Sequence, residues 1–340
     1  MNVCSNCFND DDLKLFIETN LSIYGHCNFC NNPPKSELIA IEELLDFFSD
    51  FLSSFEEDEN GIPLLDLIHQ DWNFFTNKDK GLGILSEVLT KLDSTINTPL
   101  KKVRYEEEIF NCISFWSKLK EDLKWESRFL TDLKSFEDFR WDTFFQRNSS
   151  LHEDSVLFRA RIHPNDAQSA FNTLEMGCPD KTKSLGGRAN PQGIPYLYLS
   201  MSESTTFYET RATYLDEVSV GKFKVRKGEE ISLVDFTETT SLFLNSDSIK
   251  EYIKSVILKK NISIDLSKPL RRYDSELEYI PTQFICEYIR NISNADGIMF
   301  NSSLHLGGVN VVLFTEKKTE CIEVNTYRVT NVDVSHKLIS

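Results

Sequence analysis

Between Gly186 and Glu209 the chain reads Gly-Gly-Arg-Ala-Asn-Pro-Gln-Gly-Ile-Pro, then Tyr-Leu-Tyr-Leu-Ser, then Met-Ser-Glu-Ser-Thr-Thr-Phe-Tyr-Glu. The order is a glycine-rich loop, a short strand and a capped helix, and it restricts the fold more than any other stretch. Gly186, Gly187 and Gly193 let the backbone approach something closely, while Pro191 and Pro195 stiffen the path into the strand. Alternation from Tyr196 to Ser200 puts Tyr196, Tyr198 and Ser200 on one face and Leu197 and Leu199 on the other. Ser202 is the predicted N-cap of a helix carrying Thr205, Thr206 and Glu209. Three consecutive elements therefore offer a permanent cation (Arg188), an aromatic face (Tyr198) and a carboxylate (Glu209). That set suits a ligand with phosphate at one end and a departing cationic ring at the other. A dinucleotide-fold fingerprint is excluded, because Gly-x-Gly-x-x-Gly is missing and these glycines precede a strand instead of following one.

The surrounding pattern is α+β. Leu157-Phe-Arg-Ala-Arg, Val218–Val225, Ile231–Phe236, Gly308–Thr315 and Glu320–Val329 read as strands, the last at a sheet edge. Segments 166–174, 247–260 and 281–291 read as helices among them, which makes a mixed sheet with interleaved helices.

The N-terminal part has a different character. Cys4-x-x-Cys7 and Cys27-x-x-Cys30, nineteen residues apart, predict a ribbon holding one structural Zn²⁺, since four thiolates leave no open position for catalysis. His26 is a neighbouring ligand type that the fourfold cysteine set does not need. Cys112, Cys178, Cys286 and Cys321 lack partner spacing and read as reduced, mostly buried thiols. From Ser36 to about Phe145 apolar residues recur at helical spacing (Leu38, Ile41, Leu44, Leu45, Phe48; Ile84, Leu85, Val88, Leu92; Ile109, Ile113, Trp116, Leu119). Gly61-Ile-Pro, Gly81-Leu-Gly and Asn97-Thr-Pro punctuate them, and Glu56-Glu-Asp-Glu reads as a helix end or loop.

Charge separates the two parts. The formal net charge is −16; residues 1–150 hold 15 Lys and Arg against 28 Asp and Glu, and the remainder 22 against 25. Broad binding of a nucleic-acid backbone by the acidic half is disfavoured. No apolar run approaches a membrane span and no basic-then-apolar leader opens the chain, so a cytoplasmic protein that does not enter membranes is expected.

The central stretch, together with Tyr279-Ile-Pro-Thr-Gln, Glu287-Tyr-Ile-Arg, Asp296-Gly-Ile-Met-Phe-Asn-Ser-Ser and Gly307-Gly-Val-Asn-Val-Val-Leu-Phe, resembles the RES domain family in order and spacing. The family usually has Trp where Ala189 stands, so an apolar wall of the loop is missing here. The resemblance implies an ADP-ribosyltransferase-like fold and a toxin that consumes NAD⁺ by hydrolysis or phosphorolysis. It implies Arg188, Tyr198, Glu209 and Ser302 as catalytic residues. Arg188, Asn190, Tyr198, Ser302, Ser303 and Arg159 are the implied contacts to the dinucleotide. A strand tyrosine or a helical glutamate taken alone is more often core or surface; the joint spacing raises them. The helices resemble the HEPN-like region preceding some RES domains, and Arg147-Asn-Ser-Ser-Leu-His152 fits the short Arg-x(4–6)-His formula of HEPN ribonucleases, although it reads better as a linker.

The expected organisation is thus a zinc ribbon (1–35), an all-α helical domain (36–150) and a RES catalytic domain (151–330). The expected partners are NAD⁺ and a separate antitoxin, with a homo-oligomer left open. Three other function classes remain: an ADP-ribosyltransferase modifying a macromolecule, an HEPN-like ribonuclease, and a zinc-dependent binding adaptor.

Overall fold

The computed structural model describes the whole chain except residues 21–22, 31–33, 131–133, 165–169, 238–240, 269–275, 334–335 and 337–340, and the side chains of 246 and 247. The described residues fall into two compact units. One comprises Met1–Trp116 with Thr239–Leu258, the other Ser117–Glu238 with Lys259–Ser340.

In chain order the first part contains β1 (Asn2–Val3), α1 (Asp11–Thr19), β2 (Ile23–Gly25), β3 (Ser36–Ala40), α2 (Leu45–Leu52), β4 (Phe55–Pro63), α3 (Leu64–Trp72), α4 (Lys78–Leu92), β5 (Lys102–Tyr105) and α5 (Glu107–Trp125). Strands β1, β3 and β2 form a small antiparallel sheet carrying the cysteine pairs. The core is aromatic: Phe8, Phe47, Phe48, Phe51, Phe74 and Phe75 pack on Leu13, Leu64, Ile84 and Leu85. Leu242, Ile249, Ile253 and Ile257 join the same core from much later in the sequence.

Three local expectations change here. Ser36–Ala40 is a strand, and the helical pattern begins only after it. The acidic run lies within β4, where the basic strand β5 pairs with it and Arg104 bonds Glu56 at 2.5 Å while Lys101 bonds Glu57 at 2.7 Å. Cross-strand opposite charges stabilise such a ribbon, and hydrophobic periodicity is blind to them. Gly81 does not break a helix but sits inside α4, where a Cβ would come within 2.7 Å of Leu65 and 2.9 Å of Phe75. Its absence lets α4 pack closely.

The second part continues with α6 (Lys134–Asp138), α7 (Trp141–Phe144), β6 (Ser149–Leu151), β7 (Val156–Ile162), β8 (Leu197–Ser200), α8 (Glu203–Glu209), β9 (Glu217–Val225), β10 (Ile231–Asp235), α9 (Ile249–Ser267), α10 (Ile280–Ile292), β11 (Gly297–Asn301), β12 (Val309–Leu313) and β13 (Thr319–Arg328). Eight strands make one mixed sheet in the order β13-β9-β7-β8-β12-β11-β10-β6, with β10 and β11 parallel and the other pairs antiparallel. The α+β class with a mixed sheet is thereby observed, and β13 is an edge strand as its alternation predicts. Arg147 and His152 flank β6, which pairs with β10, so this stretch is sheet edge and not a linker. Of the helix expected at 166–174, residues 166–169 lie outside the described ones and 170–174 are not helical.

One defect in this sheet decides where a ligand can go. β7 and β9 pair over seven residues, whereas β7 and β8 share a single register pair, Phe158 opposite Ser200. Away from that pair the strands diverge, and the split between them is lined with side chains.

Candidate functional site

The split opens into a cleft of about 330 Å³, lined by Phe158 and Arg159 of β7, Tyr198 and Ser200 of β8, Thr206 and Glu209 of α8, Asn310 of β12, and by Arg188 and Tyr279. Volumes of roughly 300–1,000 Å³ are usual for small-molecule sites.

Glu209 is the last residue of α8, whose first turn is capped by Ser202 accepting from the Thr205 amide. Its Oε1 accepts from Ser302 Oγ at 2.6 Å and from Asn310 Nδ2 at 2.8 Å. Ser302 in turn accepts from the backbone amides of Leu304 and His305, at 3.2 and 3.1 Å. The same loop is pinned to α8 by His305, whose Nδ1 lies 2.8 Å from Thr205 Oγ1 and whose ring stacks on Tyr208 at 4.6 Å.

The glycine loop is built around Tyr198. Its hydroxyl donates to Asn190 Oδ1 at 2.7 Å and accepts from the Ala189 amide at 3.0 Å. Gly187 is required here, because a Cβ would fall 2.7 Å from that hydroxyl. Burial pushes the Tyr198 phenol well above its ordinary range, so the ring that lines the cleft stays neutral. Asn190 is buried and its amide donates to the carbonyls of Leu185, Pro191 and Ile194, so this side chain organises the loop.

Arg188 reaches the cleft with its Nη1 donating to Leu266 O and Ser267 O at 2.9 and 3.0 Å, the last carbonyls of α9. Helix C-termini leave such carbonyls without partners, and the cation also meets the negative end of the dipole. Arg159 donates to Gly177 O at 2.9 Å, and burial draws its guanidinium below the usual arginine range. Ser303 Oγ donates to Ser267 O and is outside the cleft lining.

Arg159 of β7, Arg188 of the glycine loop, Tyr198 of β8 and Glu209 of α8 therefore line one cavity, and Ser302 touches Glu209 from 93 residues away. Asn190 and Ser303 are engaged with backbone nearby. Sequence reasoning missed Asn310 and Ser200, which the signal of a lone asparagine inside an apolar strand could have raised.

The cysteines form a separate centre. Sγ atoms of Cys4, Cys7, Cys27 and Cys30 lie within 4.8 Å of one another, with contacts of 3.9 Å (Cys4–Cys7), 3.7 Å (Cys4–Cys30), 3.5 Å (Cys7–Cys27) and 3.8 Å (Cys7–Cys30). A tetrahedron of sulfurs at about 2.3 Å from zinc has edges of about 3.8 Å, so the set fits a metal ion of that kind. The Phe29 amide donates to Cys27 Sγ at 3.4 Å, as thiolate ligands need. No histidine belongs to this cluster.

Residues 156–334, more than half of the chain, match the RES domain. The chain belongs to the RES domain family. That family is associated with toxins that act on NAD⁺. The matched segment holds every residue that lines the cleft. An uncharacterized protein of Rickettsia prowazekii (strain Madrid E) is 22% identical over 191 residues, covering 54% of this chain and 64% of that protein. The chain thus spans less than two thirds of that relative's length. No solved structure matches it. Among the described residues no helix is long and apolar enough to cross a membrane.

Proposed function

We propose that this RES protein cleaves NAD⁺ at the bond between nicotinamide and ribose, as a toxin-type enzyme of the cytoplasm restrained by a separate antitoxin. One observation carries the reading. A carboxylate held from two sides, Glu209, shares a small cleft with two guanidinium groups and a neutral tyrosine ring.

The diphosphate is charged before and after reaction, so Arg188 and Arg159 serve binding through fixed, forked donors. The nicotinamide ring carries its positive charge against the Tyr198 face in the ground state. As the C1′–N1 bond breaks, the electron pair leaves with nicotinamide and the ring becomes neutral. Positive charge moves to the ribose, where Glu209 stabilises it. Water or phosphate then adds to C1′ and loses a proton, giving ADP-ribose or its 1″-phosphate. The four-cysteine centre would hold Zn²⁺ as a structural tie and takes no part in these steps.

Purified protein incubated with NAD⁺, with and without phosphate, should release nicotinamide, and the second product identifies the acceptor. Glu209→Gln keeps the shape and removes the charge; turnover should fall about 10²–10³-fold with little change in NAD⁺ affinity. A Gln variant turning over at near wild-type rate sinks the assigned role. Transfer of label to a macromolecule instead of a small product would favour the transferase reading.

A further inference from the structure

An ionised carboxylate only accepts hydrogen bonds, whereas an asparagine amide can offer either a donor or an acceptor. The 2.8 Å contact between Asn310 and Glu209 Oε1 must therefore be made by Nδ2. That choice turns Oδ1 the other way, where it lies 2.8 Å from Ser200 Oγ, and the serine must donate. Ser200 and Asn310 are register partners on β8 and β12, near the middle of the sheet, and are 3% and 7% exposed. On the other flank Ser302 already accepts two backbone amides, so its single proton is directed at Glu209. Both donors meet Oε1 and neither engages Oε2, in a carboxylate that lines the cleft.

A buried amide is costly unless fully bonded, and the neighbours of Asn310 in β12 are all Val or Leu. Its side chain is not needed to tie β8 to β12, because four backbone register pairs do that. We propose that Asn310, oriented by Ser200, is a positioning residue that sets which oxygen of the Glu209 carboxylate meets the ribose. The proposal rests on the catalytic reading of Glu209. It names a device of the central strands that the loop and helix motifs do not contain.

The test is steady-state NAD⁺ cleavage by Asn310→Ala, Asn310→Asp and Ser200→Ala, each alone and combined with Glu209→Gln, with thermal unfolding of every variant. Loss of one hydrogen bond to a charged group should lower kcat by about 10–100-fold in Asn310→Ala, with KM moving less than about threefold. Asn310→Asp keeps volume and shape but replaces the donor, and should cost at least as much. Ser200→Ala should cost less, roughly 3–10-fold, since the amide remains but can turn over. In the Glu209→Gln background the effect of Asn310→Ala should shrink to within about twofold, because the residue acts through Glu209.

An Asn310→Ala loss that appears in KM as much as in kcat, or that persists undiminished beside Glu209→Gln, overturns the proposal. So does a folded Asn310→Asp variant with wild-type turnover. Wild-type turnover in Glu209→Gln overturns the underlying reading together with this one. A sensitive Glu209 beside an insensitive Asn310 overturns this one alone.

Discussion

Removing Arg188 should damage the protein in two separable ways, because one guanidinium serves both a helix end and the cleft. Nη1 carries two protons, and each has an acceptor at the end of α9, Leu266 O at 2.9 Å and Ser267 O at 3.0 Å. A hydrogen bond to a charged group contributes about 1.5–3 kcal/mol to stability, and cation–dipole attraction at a helix C-terminus about 0.3–1 kcal/mol. Arg188 is only half-buried, so solvent screening reduces both, and about 2 kcal/mol for the pair of bonds is a fair figure. For a unit of about 200 residues this corresponds to a drop in Tm of about 4–8 °C. The second effect is on the ligand. Phosphate contacts persist from ground state to transition state, so KM for NAD⁺ should rise at least tenfold in Arg188→Ala while kcat changes less. Arg188→Lys restores a charge without the fork, and should recover part of the Tm but little of the KM. Differential scanning fluorimetry and steady-state kinetics on the three proteins read both quantities. An Arg188→Ala protein that melts at the wild-type temperature refutes the helix-end role, and an unchanged KM refutes the phosphate role.

Three further outcomes are expected. Purified protein should carry one equivalent of zinc, and chelation should expose the thiols of Cys4, Cys7, Cys27 and Cys30 and loosen the ribbon before the RES domain; freely titratable thiols in untreated protein would count against the site. Burial, followed by the nearby Glu316 carboxylate, pushes the Cys178 thiol from 9.0 up to about 12. At pH 8 it should alkylate roughly a thousandfold more slowly than in the unfolded chain and speed up only as pH approaches that value, which peptide mapping by mass spectrometry can follow. Residues 1–150 expressed alone lack Leu242, Ile249, Ile253 and Ile257, each contributing about 1.5–3 kcal/mol of burial, and should not unfold cooperatively; a sharp transition at the full chain's Tm would contradict this.

The sequence is legible where neighbours in the chain are neighbours in the cleft. Arg188, Tyr198 and Glu209 occupy successive loop, strand and helix, so local periodicity and a single cap place all three. Strands β9, β10, β12 and β13 follow from alternation or a buried apolar run for the same reason. What escaped depends on pairing across long separations. The acidic run at 56–59 lies in a strand whose partner places Arg104 opposite Glu56, with Lys101 bonded to Glu57, and nothing within the run announces that. The carbonyls that engage Arg188 belong to backbone 78 and 79 residues away, which no side-chain pattern encodes. Gly81 carries the composition of a breaker, yet the tight approach of Leu65 and Phe75 makes it a packing residue.

The charge balance poses a physical question of its own, since a chain of net −16 is read as binding a substrate with two phosphates. The local charges resolve it. At physiological ionic strength exposed charges are screened beyond about 8 Å, so the charged groups that line the cleft weigh more in the potential a ligand meets there than the net charge of the chain does. Inside the cleft the balance is two arginines against one glutamate, with low-dielectric walls of Phe158, Phe300 and Val312 that weaken screening. The arrangement of those three charges then matters more than their sum. Glu209 is held by donors from β12 and the 302–305 loop, while Arg188 is held by carbonyls at the end of α9, so each charge has its own hydrogen-bond partners. A site built this way can hold a diphosphate at one end and still present an unneutralised carboxylate at the other. Two opposite charges free to collapse into one ion pair could do neither.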